Sequence, residues 1–166
     1  MTHVRYIDKT RDYYLRQGYE KPYLWANFTD VPFTPLSKPL AESTVALVST
    51  SDVAVRSKDN DDGRDKSHEM LAGNVYSIPS DIPLEQLFSR QEHYDQHTTT
   101  LDDTNAYFPI TRLHELADRG RIGAVAARTH GVYTAYSQRK TSEVDAPEVV
   151  RRCVEDGVDV AILTPI

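Results

Sequence analysis

The sequence predicts an α/β fold: a mostly parallel sheet with flanking helices, flavodoxin- or Rossmann-like, and incomplete. Three observations predict it. Thr44–Thr50 (TVALVST) is an apolar run with β-branched residues and no clean alternation, as in a strand covered on both faces. Ile122–Ala126 repeats that character after a helical stretch closed by Gly120. Val158–Leu163 (VDVAIL) follows another helix and glycine turn, and a helix delivered into an apolar strand is half of a βαβ unit. With 166 residues the chain can bury one hydrophobic core and is short for two.

Taken in order, Val4–Gln17 reads as a helix, with Val4, Ile7 and Tyr14 at helical spacing and Gly18 as its stop. Pro22, Pro32, Pro35 and Pro39 then rule out a long regular element. Trp25, Phe28 and Phe33 mark that stretch as an arm packed against a surface, since disordered segments are poor in aromatics. The layout expected is one domain: a helix over 1–17, an arm over 18–43 and the sheet core over 44–166, together the N-terminal part of a longer protein. Arg56–Glu69 (RSKDNDDGRDKSHE) reads as an exposed loop, and its aspartates lack the spacing of a helix-flanked calcium loop. Val75–Ile78 predicts a short strand. Ser80 or Asp81 is the expected cap of a helical turn with Pro83 near its start and Leu84, Leu87 and Phe88 on its apolar side. Gln91–Pro109 reads as irregular. Thr111 is the expected N-cap of a helix carrying Leu113, Leu116 and Ala117, and Val132–Tyr136 is a weaker strand. In the last helix Asp145 and Glu148 stand as cap and N3 partner, with Pro147 in the first turn. Val149, Val150, Cys153 and Val154 line its apolar face before Gly157.

Composition narrows the class. Apolar residues make up 39% and charged residues 27%, ordinary for a soluble globular domain. No run approaches the length of a membrane span, and MTHVRYIDKT has no apolar core of a secretion signal. A single thiol, Cys153, forms no internal disulfide, C-x-x-C pair or cysteine zinc site, which favours a reducing, cytoplasmic setting. A net charge of −6 argues against nucleic acid as a partner. Neither G-x-G-x-x-G nor a P-loop follows the first strand, so nucleotide binding has no support and no cofactor is expected.

The densest chemical cluster is Gln91–Asn105 (QEHYDQHTTTLDDTN). His93, Asp95 and His97 alternate, so an extended chain points all three the same way, with Asp102, Asp103 and Asn105 in reach. Such a set can act in acid–base or substrate-binding chemistry, hold a metal, or simply hydrogen-bond an irregular backbone. The spacing is not H-E-x-x-H, and the residues alone leave these readings open. Ser49, Thr50 and Ser51 lie at the carboxyl end of the first strand, where hydroxyls and amides bind an anion or turn the chain. Arg112 either binds a carboxylate or pairs with Glu115; His130 is a weaker candidate. Cys153 sits towards the C-terminus of its helix, where no dipole lowers a thiol pKa, and reads as structural.

Four segments carry a resemblance: GYEKPYLWANF, PFTPLSKPLAESTVALVST, HYDQHTTTLDDTNAYFPITRLHELADRGRIGAVA and VEDGVDVAILTP. In this order they resemble the B-subunit (selenoprotein B) family of the glycine/sarcosine/betaine and D-proline reductases, from about Gly18 onward. The resemblance implies an α/β fold and reductive cleavage of a C–N bond in a small amino-acid-like substrate. The agent would be selenocysteine or cysteine, working with other reductase subunits and a thiol reductant. On that reading His93, Asp95 and His97 are the catalytic candidates, and Ser49, Thr50, Asp102, Asn105 and Arg112 the substrate-binding ones. Ser51 and Asp52 stand where relatives commonly carry glycines.

Relatives continue past a strand resembling VAILTP into the segment that bears the reactive residue. The expectation is therefore a nucleophile beyond residue 166, with position 167 a UGA-encoded selenocysteine. An uncovered last strand would also invite homo-oligomers or other association. Two further functions compete: a non-catalytic binding or accessory subunit of a reductase-like complex, and a hydrolase or isomerase built on the His/Asp loop with a metal.

Overall fold

The apolar runs read from the sequence become the strands of one sheet, and the helices cover it unequally. The computed structural model describes residues 5–22, 24, 26–56, 74–92, 94, 96–97, 100–133 and 137–165, which fall into two units, 1–34 and 35–166. In the first unit, α1 (Tyr6–Arg16) buries no residue and ends at Gly18, whose φ is +88°. Phe28 and Phe33 are exposed, and Trp25 lies outside the described residues.

The second unit is built around β1 (Thr44–Ser49). On one side β7 (Val160–Thr164) runs parallel to it in five register pairs, from Val45↔Val160 to Ser49↔Thr164. On the other side β5 (Ala124–Val125) pairs with its first half and β6 (Arg128–Val132) with its second, both parallel. β5 and β6 act as one strand interrupted at Ala126–Ala127. Outside β6 lies β3 (Val75–Pro79), antiparallel from Val75↔Val132 to Pro79↔Arg128. The sheet is therefore mixed: parallel around β1, in line with the mostly parallel expectation, with β3 as an antiparallel edge strand. β3 enters at the end where β1 leaves, and a strand entering there must run the opposite way. A small antiparallel pair, β2 (Val53–Val55) with β4 (Leu87–Ser89), stands beside that end.

Two cores flank the sheet. On one face Val45 and Leu47 pack with Tyr107 of α2 (Thr104–Tyr107) and with Ile110 and Leu113 of α3 (Ile110–Asp118). On the other, Ala46 and Ala126 meet Cys153 of α5 (Ala146–Glu155), with Val149 and Val158 at its margin. Gly120 and Gly157, at φ +65° and +66°, end α3 and α5 in the left-handed turn that glycine adopts without a Cβ clash.

Several local expectations change. Pro109, not Thr111, occupies the N-cap of α3; Thr111 lies in the first turn and donates to Asn105 Oδ1 at 2.6 Å. Ser80 turns inward to Ala126 O at 2.6 Å, and a single 3₁₀ turn (Leu84–Gln86) starts only after Pro83. Leu87 and Phe88 belong to β4. The last helix begins earlier than Asp145: α4 (Gln138–Lys140), capped by Ser137, runs through a π-helical turn (Thr141–Asp145) into α5. Asp145 is buried there and holds Lys140 Nζ at 2.5 Å, so its carboxylate serves an ion pair and caps nothing. Only Val149 and Cys153 of the predicted stripe turn to the sheet; Val150 and Val154 are exposed. A strand runs over Arg128–Val132, where the segment pairs with both β1 and β3; of the strand expected at Val132–Tyr136, residues 134–136 lie outside the described residues. The Gln91–Pro109 stretch contains α2, whose cap Asp103 accepts from the Asn105 amide at 2.9 Å. The expected loop over Arg56–Glu69 falls outside the described residues after Arg56.

Candidate functional site

β1 leaves the sheet through Ser49, Thr50, Ser51 and Asp52, and three of these four are fully buried. The Ser49 and Ser51 hydroxyls bind the chain itself. Ser49 Oγ lies 2.6 Å from Ser51 Oγ and 3.1 Å from Thr164 O, and accepts the Ser51 amide at 3.2 Å. Ser89 Oγ donates to Ser51 O at 2.5 Å, tying β4 to the same turn. Asp52 has φ +47°, a left-handed conformation that aspartate tolerates better than most residues. Its Oδ1 accepts from Arg90 Nη2 at 2.8 Å, with the two side chains 0% and 7% exposed. Such a pair stabilises mainly against its own disruption, because removing one partner leaves a buried charge.

Tyr76 secures the chain just after this turn. Its hydroxyl accepts from the Val53 amide at 2.8 Å, and its ring fills the space above Gly131, where a Cβ would stand 1.9 Å from the ring carbon Cζ. Burial, then the nearby Asp52 carboxylate, pushes the phenol well above its ordinary pKa, so Tyr76 is a fixed neutral prop.

Ser89, bonded to this turn, also lines a cleft of about 670 Å³ together with Arg56, Tyr94, Asp102, Thr104 and Tyr107 among others. The Arg56 guanidinium stacks 4.9 Å from the Phe88 ring centroid, which holds a cation there. Asp102 brings a carboxylate to the same lining. The lining can hydrogen-bond a polar solute and offers it both signs of charge.

The predicted residues divide around this cleft. Asp102 lines it; His97 lies in the exposed turn beside Gln96, which also lines it. Ser49 does not line it, but its Oγ donates to the carbonyl of Tyr107, which does, at 3.3 Å. Asn105 is half-buried, its side chain engaged by Thr111. Thr50 opens onto a different groove, on the α5 face. Arg112 pairs with Glu115 at 2.6 Å on the exposed side of α3. His93 and Asp95 lie outside the described residues. Arg56, Ser89, Tyr76 and the Asp52–Arg90 pair carried no motif in the sequence.

A second polar network occupies the opposite face. His130 is buried with Nδ1 3.0 Å from Ser77 Oγ, which also accepts from Arg152 Nη1 at 2.8 Å. Its Nε2 is 3.6 Å from Asp156 Oδ2, a carboxylate gripped by Arg128 at 2.7–3.1 Å. Burial holds His130 below its ordinary pKa, against the opposing pull of Asp156. Cys153 lies on this same face; burial raises its pKa, so it is a poor source of thiolate. Among the described residues no group of three His, Cys, Asp or Glu side chains could hold a metal ion, and no helix is long and apolar enough to cross a membrane.

The family model for glycine/sarcosine/betaine reductase selenoprotein B matches residues 8–166. The D-proline reductase subunit gamma of Acetoanaerobium sticklandii is 31% identical over 134 residues, which cover 80% of this chain and 52% of that protein. The chain thus spans about half the length of the curated relative it matches. No solved structure matches it.

Proposed function

The chain belongs to the glycine/sarcosine/betaine reductase selenoprotein B family, and from that premise we propose that it forms the substrate-holding part of a reductase for a small amino-acid-like compound. The observation that carries this reading is the cleft whose lining includes both Arg56 and Asp102. A zwitterion carries a carboxylate for the guanidinium and an ammonium for the aspartate. The chain's one thiol, Cys153, is buried on the far side of the sheet with a raised pKa, so the selenol or thiol that attacks substrate comes from outside these 166 residues.

In this reaction a chalcogenolate attacks the carbon bearing nitrogen, a carbon–chalcogen bond forms, and the amine departs with a proton. A thiolate of the reductant then attacks the chalcogen, and the carbon keeps the electron pair and takes a proton. The substrate gains two electrons and the thiols end oxidised. His93 and His97, with Asp95 to orient one of them, are the groups proposed to move these protons. Ser49, Asn105, Thr50 and Arg112 remain the further residues proposed to bind substrate. Other reductase subunits and a thiol reductant are the proposed partners, and the cytoplasm the proposed location.

Calorimetric titration with a panel of free and N-methylated amino acids tests the binding half. Asp102→Asn and Arg56→Gln are each expected to weaken binding about tenfold or more, or roughly 1.4 kcal/mol. Binding indifferent to both substitutions would refute the placement. An accessory subunit that binds without reducing is the second reading, favoured by the position of Cys153. Amine release by the assembled reductase with a dithiol separates the two: none above background supports the accessory role.

A further inference from the structure

We propose that the outer edge of β7 and the bare flank of α5 seat a further strand and helix, contributed by the half of the family's subunit that this chain does not match. Four consecutive apolar residues, Val160–Leu163, run along β7. In a parallel sheet such a run belongs to a strand covered on both faces. Here Ile162 and Leu163 are 38% and 74% exposed, and no described strand pairs with the outer edge. On the α5 side Val150 and Val154 are 60% and 72% exposed, and with Val149 and Leu163 they wall an apolar groove of about 630 Å³.

Edge strands that finish a sheet are blunted by charge, and β7 is not. Its flanking charge, Asp159, is spent inward: its carboxylate accepts the Thr44 amide at 2.7 Å and holds Lys38 Nζ at 2.8 Å. Nothing charged along Val160–Leu163 turns a partner away. The groove between α5 and Leu163 has the shape and apolar lining that receive a crossover helix beside α5, and such a helix delivers a strand parallel to β7. The occupant has a source in the family: the matched relative carries residues amounting to about half its length outside the aligned region. The proposal rests on family membership and this surface alone. It is independent of the substrate and chemistry proposed above.

The test is co-expression of the 166-residue chain with the unmatched half of a family member, read by light scattering and amide exchange. A one-to-one complex is expected, with the outward amides of β7 slowed at least tenfold. Val154→Lys, exposed and outside the cleft, is expected to abolish the complex while leaving the circular dichroism of the chain unchanged. Two folded polypeptides that stay apart would overturn the proposal. So would a homodimer of the chain alone that is lost in the Val154→Lys variant, since the seat would then belong to a second copy.

Discussion

β1 and β7 are close to the same strand written twice. Read along their register, Val45 faces Val160, Ala46 faces Ala161, Leu47 faces Ile162, Val48 faces Leu163 and Ser49 faces Thr164. Every residue of β1 from Val45 to Ser49 is buried, whereas Ala161, Ile162 and Leu163 are all exposed. Since the side chains match in kind, the difference comes from position in the sheet. An apolar run states how much burial a strand is suited to; whether that burial is met depends on what lies on either side. For β1 it is met by two neighbouring strands and two cores. For β7 it is met on one side only.

The comparison can be attacked at its strongest point first. The buried exit of β1 depends on the Asp52–Arg90 pair, so Arg90→Ala should cost about 3–5 kcal/mol, read from the urea unfolding midpoint. A loss under about 1 kcal/mol would mean that the pair does not hold the turn. Next come truncations of one leucine on each strand. Leu47→Ala should cost about 2–5 kcal/mol, because Leu47 is wholly buried. Leu163→Ala in the chain alone should stay within about 0.5 kcal/mol, as at other open surface sites. Equal losses would break the comparison.

The smallest effect is a pH dependence. Burial holds His130 below the ordinary imidazole pKa of about 6.5, so the unfolded chain takes up its proton first as pH falls. Stability from this group is complete above that value and is lost as pH drops towards the folded pKa. His130→Gln should flatten the unfolding midpoint between pH 7.5 and 5.5. The carboxylates nearby act in a lower window: Arg151 and Arg152 hold Glu148 down to about 2, and Arg128 lowers Asp156.

β1, β3, β5 and β7 are legible because their signal is local, whereas the short β2 and β4 are not. The Thr44–Thr50 run, the glycine stops and the VAIL segment each fit within a few residues, and each was placed to within two. What joined distant residues was not legible. Asp52 and Arg90 are 38 positions apart, and Arg128 and Asp156 are 28 apart, with no spacing rule to link them. The direction of β3 depended on which end of the sheet the chain re-entered. Val149, Val150, Cys153 and Val154 share helical spacing and so predict one apolar face of α5; the fold covers only half of it. Asp145 looked like a cap because Pro147 and Glu148 follow it, yet Ser137 begins the helix and Asp145 answers Lys140. At the cleft, Asp102 belongs to the polar cluster marked by the sequence, while Ser89 comes from β4 and Arg56 from the residue after β2, neither singled out by a motif.

Amide hydrogen exchange on the 166-residue chain, compared strand against strand, tests the central contrast most directly. Amides of β1 should exchange only through global unfolding, while the β7 amides that point away from β1 should exchange orders of magnitude faster. Uniform protection of β1 and β7 in a monomeric chain would contradict the account, because it would mean that the outer edge of β7 is already covered.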